Sequence, residues 1–383
     1  MIPGHTSSAP TALAIVGGGF RTLAFLRVAH ELPDYFRVCG VVARRAATAR
    51  AIKADWNVPT FGTIEELLRS CSPDFVIVAV MPRDAPDLIT ELARRQIPVL
   101  TETPPAPDMP TLLPLLDLVQ AGALIQVAEQ YHLEPLLTSQ IAVARSGSLG
   151  TVGEAAVSVC HDYHGMSVLR RMLGIGFENA TITAHERFAP LVAGPTRSGD
   201  PHEEHLLNET HTSARLDFGD CLGCYDFSSD QYRSWIRSHS VLVRGDRGEL
   251  RDEQVRSLHP DGTPQHRSIT RVSAGGAGNH EGLFLRGLTL GDEWVYQNEF
   301  SPARLADDEL SIAALLAGMS VFVNGGPEVY SLAEAAQDHY LQLAIKRAVV
   351  SGKTVRTETQ PWATSALGRS PQRVRHTIRS ERP

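Results

Sequence analysis

Apolar residues fall into two patterns along the 383-residue chain, and one gives way to the other at Glu129. Before it, short unbroken apolar runs alternate with stretches of helical spacing. Ala12–Val16, Arg37–Ala43, Asp74–Val80, Val99–Glu102 and Leu124–Ala128 are runs of the kind that makes strands buried on both faces. A helix opens over Leu23–Leu26, and Ala46–Asp55, Ile64–Ser70, Asp84–Arg95 and Pro110–Ala121 read as helices. Thr63 with Glu66 three residues on has the spacing of a capping box. This alternation predicts a parallel α/β sheet and a first domain over residues 11–128.

After Glu129 the period changes. Pro135–Arg145 reads as an amphipathic helix, Glu154–Cys160 as a strand, and Ser167–Leu173 as a helix stopped at Gly174. Between 208 and 300, Thr212–Phe218, Cys221–Phe227 and Ser234–Val243 alternate apolar and polar positions between turns such as Gly-Asp-Arg-Gly at 245–248. That predicts an open, mainly antiparallel sheet with one packed face. Residues 189–207 and 258–280, rich in Gly, Pro, Ser and His, read as long loops, and Asp307–Asn324 and Ser331–Ser351 as helices. The second domain is thus an α+β unit over 129–357. The basic, polar stretch 358–383 reads as a loose tail.

The first strand runs directly into Gly17-Gly18-Gly19 and then a helix, the opening unit of a dinucleotide-binding, Rossmann-type fold. Gly17 would make the tight turn. Gly19, with Phe20 and Arg21 behind it, would let the backbone approach a pyrophosphate at the helix N-terminus. The third position of the G-x-G-x-x-G fingerprint is Thr22. The second strand ends at Ala43 where an NAD site places a carboxylate, and Arg44 and Arg45 follow. Guanidinium groups pair with a 2′-phosphate, so the sequence leans to NADP over NAD. Two arginines that simply start a solvated helix are the plain alternative.

Composition narrows the function classes. With 43% apolar and 21% charged residues the chain is that of a soluble globular protein, and its net charge of −7 gives no footprint for nucleic acid or an anionic membrane. No apolar run reaches the length of a membrane span, and the first ten residues do not read as a signal peptide. Five cysteines, an odd number, point to reduced thiols in a cytoplasm. Cys221-Leu-Gly-Cys224 lacks a second pair, and His202-Glu-Glu-His205, with His211 nearby, lacks helical zinc-site spacing, so no metal is expected. No Gly-x-Ser-x-Gly elbow supports a hydrolase.

The densest set of proton-handling groups is Cys160-His161-Asp162-Tyr163-His164. If 161–164 is extended, His161 and Tyr163 share one face, and Asp162 and His164 the other. His164 is the leading general acid or base, because an imidazole needs only a small shift to work at neutral pH. Tyr163, Tyr131, His132 and His161 are secondary candidates near substrate, and Arg170 and Arg171 could hold an anionic group on it.

These elements and motifs resemble the glucose–fructose oxidoreductase and inositol dehydrogenase family from about Ala12 to Thr357. Gly17–Gly19 look like the cofactor turn, and Met81-Pro82 like the proline-containing turn beside the nicotinamide. Glu102-Thr103-Pro104 sits where the family has Glu-Lys-Pro. Tyr131-His132-Leu133-Glu134-Pro135 resembles the segment that opens the second domain, and His164 stands ten residues before Gly174 as the family's histidine does. The resemblance implies an NAD(P)-binding first domain, a small polar, sugar-like substrate held between the domains, Glu102 orienting the cofactor, and a homodimer or homotetramer joined through the open sheet. The departures are Thr103 for the family's lysine, Ser167 for its carboxylate, and Pro86 for a histidine. An NAD(P)-dependent oxidoreductase with a non-standard catalytic set is therefore expected. A cofactor-binding sensor or accessory protein without redox turnover is the alternative, and transient oxidation by a tightly held nicotinamide a third.

Overall fold

The computed structural model describes residues 9–364 apart from 277–279 and 281. The first half contains β1 (Thr11–Val16), α1 (Phe20–Glu31), β2 (Phe36–Val42), α2 (Ala46–Trp56), β3 (Thr60–Phe61), α3 (Ile64–Ser70), β4 (Phe75–Val78), α4 (Ala85–Arg94), β5 (Val99–Thr101), α5 (Met109–Gln120) and β6 (Ile125–Val127). Its six strands are parallel in the order β3-β2-β1-β4-β5-β6. The order reverses between β1 and β4, so a crevice opens at their carboxyl ends, where a doubly wound sheet takes its ligand. Apolar side chains drive this layer. Leu13, Ile15, Phe75 and Ile77 are fully buried, each worth about 1.5–3 kcal/mol of transfer free energy. Thr63 and Glu66 form the expected capping box on α3.

The second half contains a 3-10 turn (Tyr131–Leu133), α6 (Pro135–Arg145), β7 (Val152–Ser158), α7 (Asp162–Leu173), β8 (Thr181–Val192), β9 (Leu206–Asp217), β10 (Leu222–Ser228) and β11 (Ser240–Gly245). There follow β12 (Gly248–Arg251), β13 (Gln254–Leu258), β14 (Pro264–Ala274), β15 (Phe284–Leu290), β16 (Glu293–Gln297), α8 (Asp307–Val323), α9 (Leu332–Ser351), β17 (Val355–Arg356) and α10 (Pro361–Thr364). Eleven strands make one mixed sheet, antiparallel except where β7 pairs with β10. Val157, Ile182, Leu216, Tyr225 and Val243 are buried on the face toward α7 and α9.

Three sequence expectations need correction. Residues 189–207 and 258–280 are not simple loops: β8 and β9 form a twelve-residue-a-side hairpin, and β14 occupies 264–274. Backbone pairing overrides their polar composition, since a ladder satisfies every N–H and C=O whichever side chains line it. The strand read from Ser234 begins only at Ser240, and 229–239 is a turn. The tail is docked through Thr364, because Trp362 is buried and donates from Nε1 to Gln337 Oε1 at 3.0 Å. Residues 365–383 lie outside the described ones.

The alternation that predicted a half-apolar open face is also softer than expected. The face away from the helices carries Glu154, Thr183, Arg215, Cys224 and Arg244, while the exposed apolar side chains Phe188 and Leu206 sit near the hairpin's tip. The chain's last third returns to the first domain. Ser331 bridges Gln126, and Tyr330, Leu332 and Ala336 join the core beneath β4–β6. The two sheets are held as one frame around the crevice.

Candidate active site

A cleft of about 1130 Å³ follows the carboxyl ends of β1, β2 and β4. Gly17 has φ +144°, and a Cβ there would stand 2.1 Å from the carbonyl oxygen of Ala79, so only glycine makes this turn. Around Gly19, which precedes α1, a Cβ would meet nothing within 4 Å. The backbone is thus bare where α1 begins, a cradle open to an anion. Thr22, in place of the third glycine, is fully buried between α1 and the sheet. Ala43 is buried at the end of β2, and Arg44 and Arg45 are exposed along the cleft wall. Met81 and Pro82 line the wall opposite. The residues present fit a dinucleotide: a bare glycine turn, a helix N-terminus, and Ala43 in place of a carboxylate at the end of β2 with Arg44 and Arg45 beside it, Arg44 facing Asp84 at 3.4 Å.

A second cleft of about 890 Å³ lies between the domains, and Phe20, Arg21, Glu102 and Thr103 line both. Hydrogen bonds tie this junction together. Arg21 donates from Nε to Glu102 Oε1 at 2.7 Å and from Nη2 to Gln130 Oε1 at 2.6 Å, and the Thr103 amide donates to Glu102 Oε2 at 3.3 Å. Arg21 on α1, Glu102 after β5 and Gln130 after β6 are thereby locked together.

Beyond the junction, His164 Nδ1 is 2.5 Å from Glu129 Oε2. The carboxylate fixes that nitrogen and leaves Nε2 for the cleft the ring lines. Three rings enclose the imidazole, with centroids at 4.4 Å (Tyr163), 4.7 Å (Tyr131) and 4.9 Å (His161). The Tyr131 hydroxyl donates to that of Tyr232 at 2.9 Å, and Tyr232 lies 2.7 Å from His161 Nδ1. Burial raises the Tyr163, Tyr131 and Tyr232 phenols above their ordinary range, so all three are neutral hydrogen-bond groups. Thr103 adjoins the Tyr163 phenol and partly offsets the effect of its burial. Burial, then the neighbouring His164, pushes His161 down to about 4, so it too is neutral at physiological pH.

The conditional strand at 161–164 is overturned. His161 is the N-cap of α7, the chain turns at Asp162 with φ +49°, and Tyr163 and His164 fall in the first helical turn. Met166, Leu169, Met172 and Leu173 supply the buried stripe that carries the helix. The result gathers His161, Tyr163 and His164 around one corner rather than splitting them.

Helix geometry also removes Arg170 and Arg171 from the cleft. They lie about two turns beyond His164, on the order of 10 Å along the axis. Arg170 is buried, donating from Nη1 to Asp338 Oδ1 at 2.7 Å, from Nη2 to Glu334 Oε2 at 2.9 Å and from Nε to the Gly176 carbonyl at 2.8 Å. Arg171 packs over the Tyr330 ring. His132 is buried against that same ring, and desolvation pushes its pKa well down. None of these three lines the second cleft. Ser167 is buried and accepts from the Tyr330 hydroxyl at 2.9 Å.

Two groups escaped the sequence reading. Glu129 had a signal: it follows β6 at the carboxyl edge of the sheet, as Glu102 follows β5. Tyr232 had none, because it sits in the turn between the strands read at Cys221–Phe227 and from Ser234, where no period marks a side chain for the cleft. At the cleft rim, burial and then Asp308 and Asp307 push the Glu134 carboxyl up to about 8. The native state then binds more protons than the unfolded chain between about pH 4.5 and 8, so stability falls as pH rises through that window. Glu134→Gln is expected to flatten this decline, read from melting temperatures between pH 5 and 8.5; an unchanged slope would remove Glu134 as its source.

Residues 11–131 match the sequence profile described as "Oxidoreductase family, NAD-binding Rossmann fold", of the GFO/IDH/MocA type. No curated protein sequence matches the chain. Solved structures share its fold. An oxidoreductase from Agrobacterium radiobacter in complex with NAD+, L-tartaric acid and magnesium aligns with a TM-score of 0.66 at 15% identity, covering 91% of this chain and 98% of that one. GenD2 from gentamicin A biosynthesis, in complex with NAD, gives 0.65 at 18% identity over 94% and 99%. The WlbA dehydrogenase from Bordetella pertussis, in complex with NADH and UDP-GlcNAcA, gives 0.62 at 13% over 92% and 99%.

Proposed function

We propose that this chain, whose residues 11–131 match the GFO/IDH/MocA oxidoreductase profile, is a divergent member of that family and an NADP-preferring oxidoreductase of a small, polar, sugar-like substrate. The observation that carries the reading is the shared wall of the two clefts at Phe20, Arg21, Glu102 and Thr103, with His164 on its far side. Gly17, Gly19, Phe20 and Arg21 would hold the pyrophosphate end, Met81, Pro82 and Glu102 the nicotinamide end, and Arg44 and Arg45 a 2′-phosphate. Bound there, the nicotinamide supplies a hydride acceptor or donor.

The chain's own residues supply orientation and proton transfer. His164 Nε2 takes the proton from a substrate hydroxyl in oxidation and returns it in reduction, while Glu129 holds the tautomer and offsets the imidazolium charge. Tyr163, kept neutral by burial, donates to the reacting oxygen, and Thr103 orients the phenol. Thr103 takes the sequence position of the family's lysine, and on this reading it acts with Tyr163 to supply a directed hydrogen bond in place of the ammonium charge. Tyr131, Tyr232 and His161 offer a wall of neutral donors and acceptors to a polyhydroxylated substrate.

The same substitution at 103 favours a second reading, a cofactor-binding sensor without turnover. A titration decides the first step. The wild type is expected to bind NADPH about tenfold or more tighter than NADH, and Arg44→Ala with Arg45→Ala to bring the two within about twofold, the scale of one charge-assisted contact. Equal affinities in the wild type would sink the NADP preference. Tight binding with no reduction or oxidation across polyols, hexoses and sugar acids would select the sensor.

A further inference from the structure

The loop joining β8 to β9 reaches from the second domain onto the first. Its base is closed by the Ala193 amide donating to the His205 carbonyl at 2.9 Å. Its foot is pinned, because a Cβ on Gly194 would stand 2.7 Å from the Arg233 carbonyl oxygen. Its tip is a self-bonded turn, with Thr196 N to Gly199 O at 2.9 Å, Gly199 N to Thr196 O at 3.2 Å and Ser198 N to Thr196 Oγ1 at 3.1 Å. This turn carries Arg197, whose guanidinium carbon lies 4.2 Å from the centroid of the Phe20 ring. Phe20 is the first residue of α1, and its ring is half exposed. Arg197 lines both clefts.

The other cations of the dinucleotide cleft are mostly occupied. Arg21 is bound to Glu102, Arg44 and Arg83 face Asp84, and Arg95 pairs with Glu91. Among the described residues, Arg45 and Arg197 have no carboxylate partner. Arg45 is the N-cap of α2 beyond β2, and Arg197 stands over the ring of Phe20, the first residue of α1 and the neighbour in the chain of the bare Gly19. A helix N-terminus offers about half a unit of positive charge, too little for a doubly charged pyrophosphate. A guanidinium stacked on an aromatic face is held in place before it binds, so less rotamer freedom is lost on forming its hydrogen bonds.

We propose that Arg197, shelved on Phe20, clamps the dinucleotide pyrophosphate from the second domain, so that cofactor binding engages both domains. This rests on the dinucleotide reading above. The test is a fluorescence titration of wild type, Arg197→Ala, Arg197→Lys and Phe20→Leu with NADPH, NADH and 2′-AMP, which lacks a pyrophosphate. Arg197→Ala is expected to weaken NADPH and NADH alike by about tenfold or more, to leave 2′-AMP and the melting temperature unchanged, and to be partly restored by lysine. Phe20→Leu, which keeps the charge and removes the shelf, is expected to lose a smaller factor.

Wild-type affinity for NADPH in Arg197→Ala would overturn the clamp alone. So would a variant that keeps its dinucleotide affinity but, loaded with NADPH, loses affinity for a hexose phosphate, since the anion would then be the substrate's. A wild type that binds no dinucleotide would overturn the clamp together with the reading beneath it.

Discussion

His164→Ala is expected to lower kcat by about 10²- to 10⁴-fold on a substrate found by screening, while dinucleotide affinity changes by less than about twofold. The separation follows from placement. His164 lines the substrate cleft and not the dinucleotide cleft. Its imidazole is the group among the cleft's rings that is engaged by a carboxylate, at 2.5 Å from Glu129, whereas His161 is pushed down to about 4 and the three phenols are raised by burial. A proton leaving a substrate hydroxyl therefore meets an imidazole oriented by a carboxylate at His164. Glu129→Gln is expected to cost nearly as much, because an amide in that place no longer selects the productive tautomer or offsets the imidazolium. Free imidazole restoring part of the His164→Ala turnover would identify proton transfer as the lost step. Retention of kcat within about threefold in His164→Ala would end the proposal that this residue moves the proton.

Arg170→Ala is expected to destabilise the protein by about 3–5 kcal/mol, the range for removing one partner of a buried ion pair. The guanidinium side chain is 3% exposed, as is its partner Asp338, and it ties α7 to α9 through Asp338 and Glu334. Without it the Asp338 carboxyl stays buried, and desolvation already pushes that group up to about 6. Arg170→Met with Asp338→Leu removes the two fully buried charges, leaving Glu334 partly exposed, and is expected to recover part of the loss, since the penalty is the orphaned group and not the missing pair. Denaturant melts with ligand-free protein separate this from the substrate-clamp role that the sequence allowed. A clamp variant would fold normally and raise KM, and a melt within about 0.5 kcal/mol of wild type would restore that role.

The elements most legible before folding were those whose information is local. The parallel sheet could be read because β1, β2, β4, β5 and β6 are apolar on both faces, a pattern that only burial between helix layers satisfies. The Thr63–Glu66 box and the Gly17 turn were equally readable, since each is a contact or a backbone angle set within a few residues. Reading fell short where one segment has two self-consistent conformations. Residues 161–164 alternate well enough for a strand, yet the buried stripe from Met166 to Leu173 recruits them into a helix. Residues 234–239 were read with the strand that follows, but lie outside it, and β11 begins at Ser240.

The chain's order of residues, taken alone, settled which groups of chemical interest exist and on which domain each lies. It placed the glycine turn, Arg44–Arg45, Glu102–Thr103 and the histidine cluster. Folding settled which of them meet. It joined Arg21 to Glu102 and Gln130, set Glu129 on His164, brought in Tyr232, and carried Arg197 across to Phe20. It also withdrew Arg170, Arg171 and His132 into the packing around Tyr330 and α9. The division has a physical cause. A strand or a turn is decided by neighbours along the chain, whereas these contacts join positions 35 to 198 residues apart, and no local period encodes which of many helix faces and loop tips will be brought together.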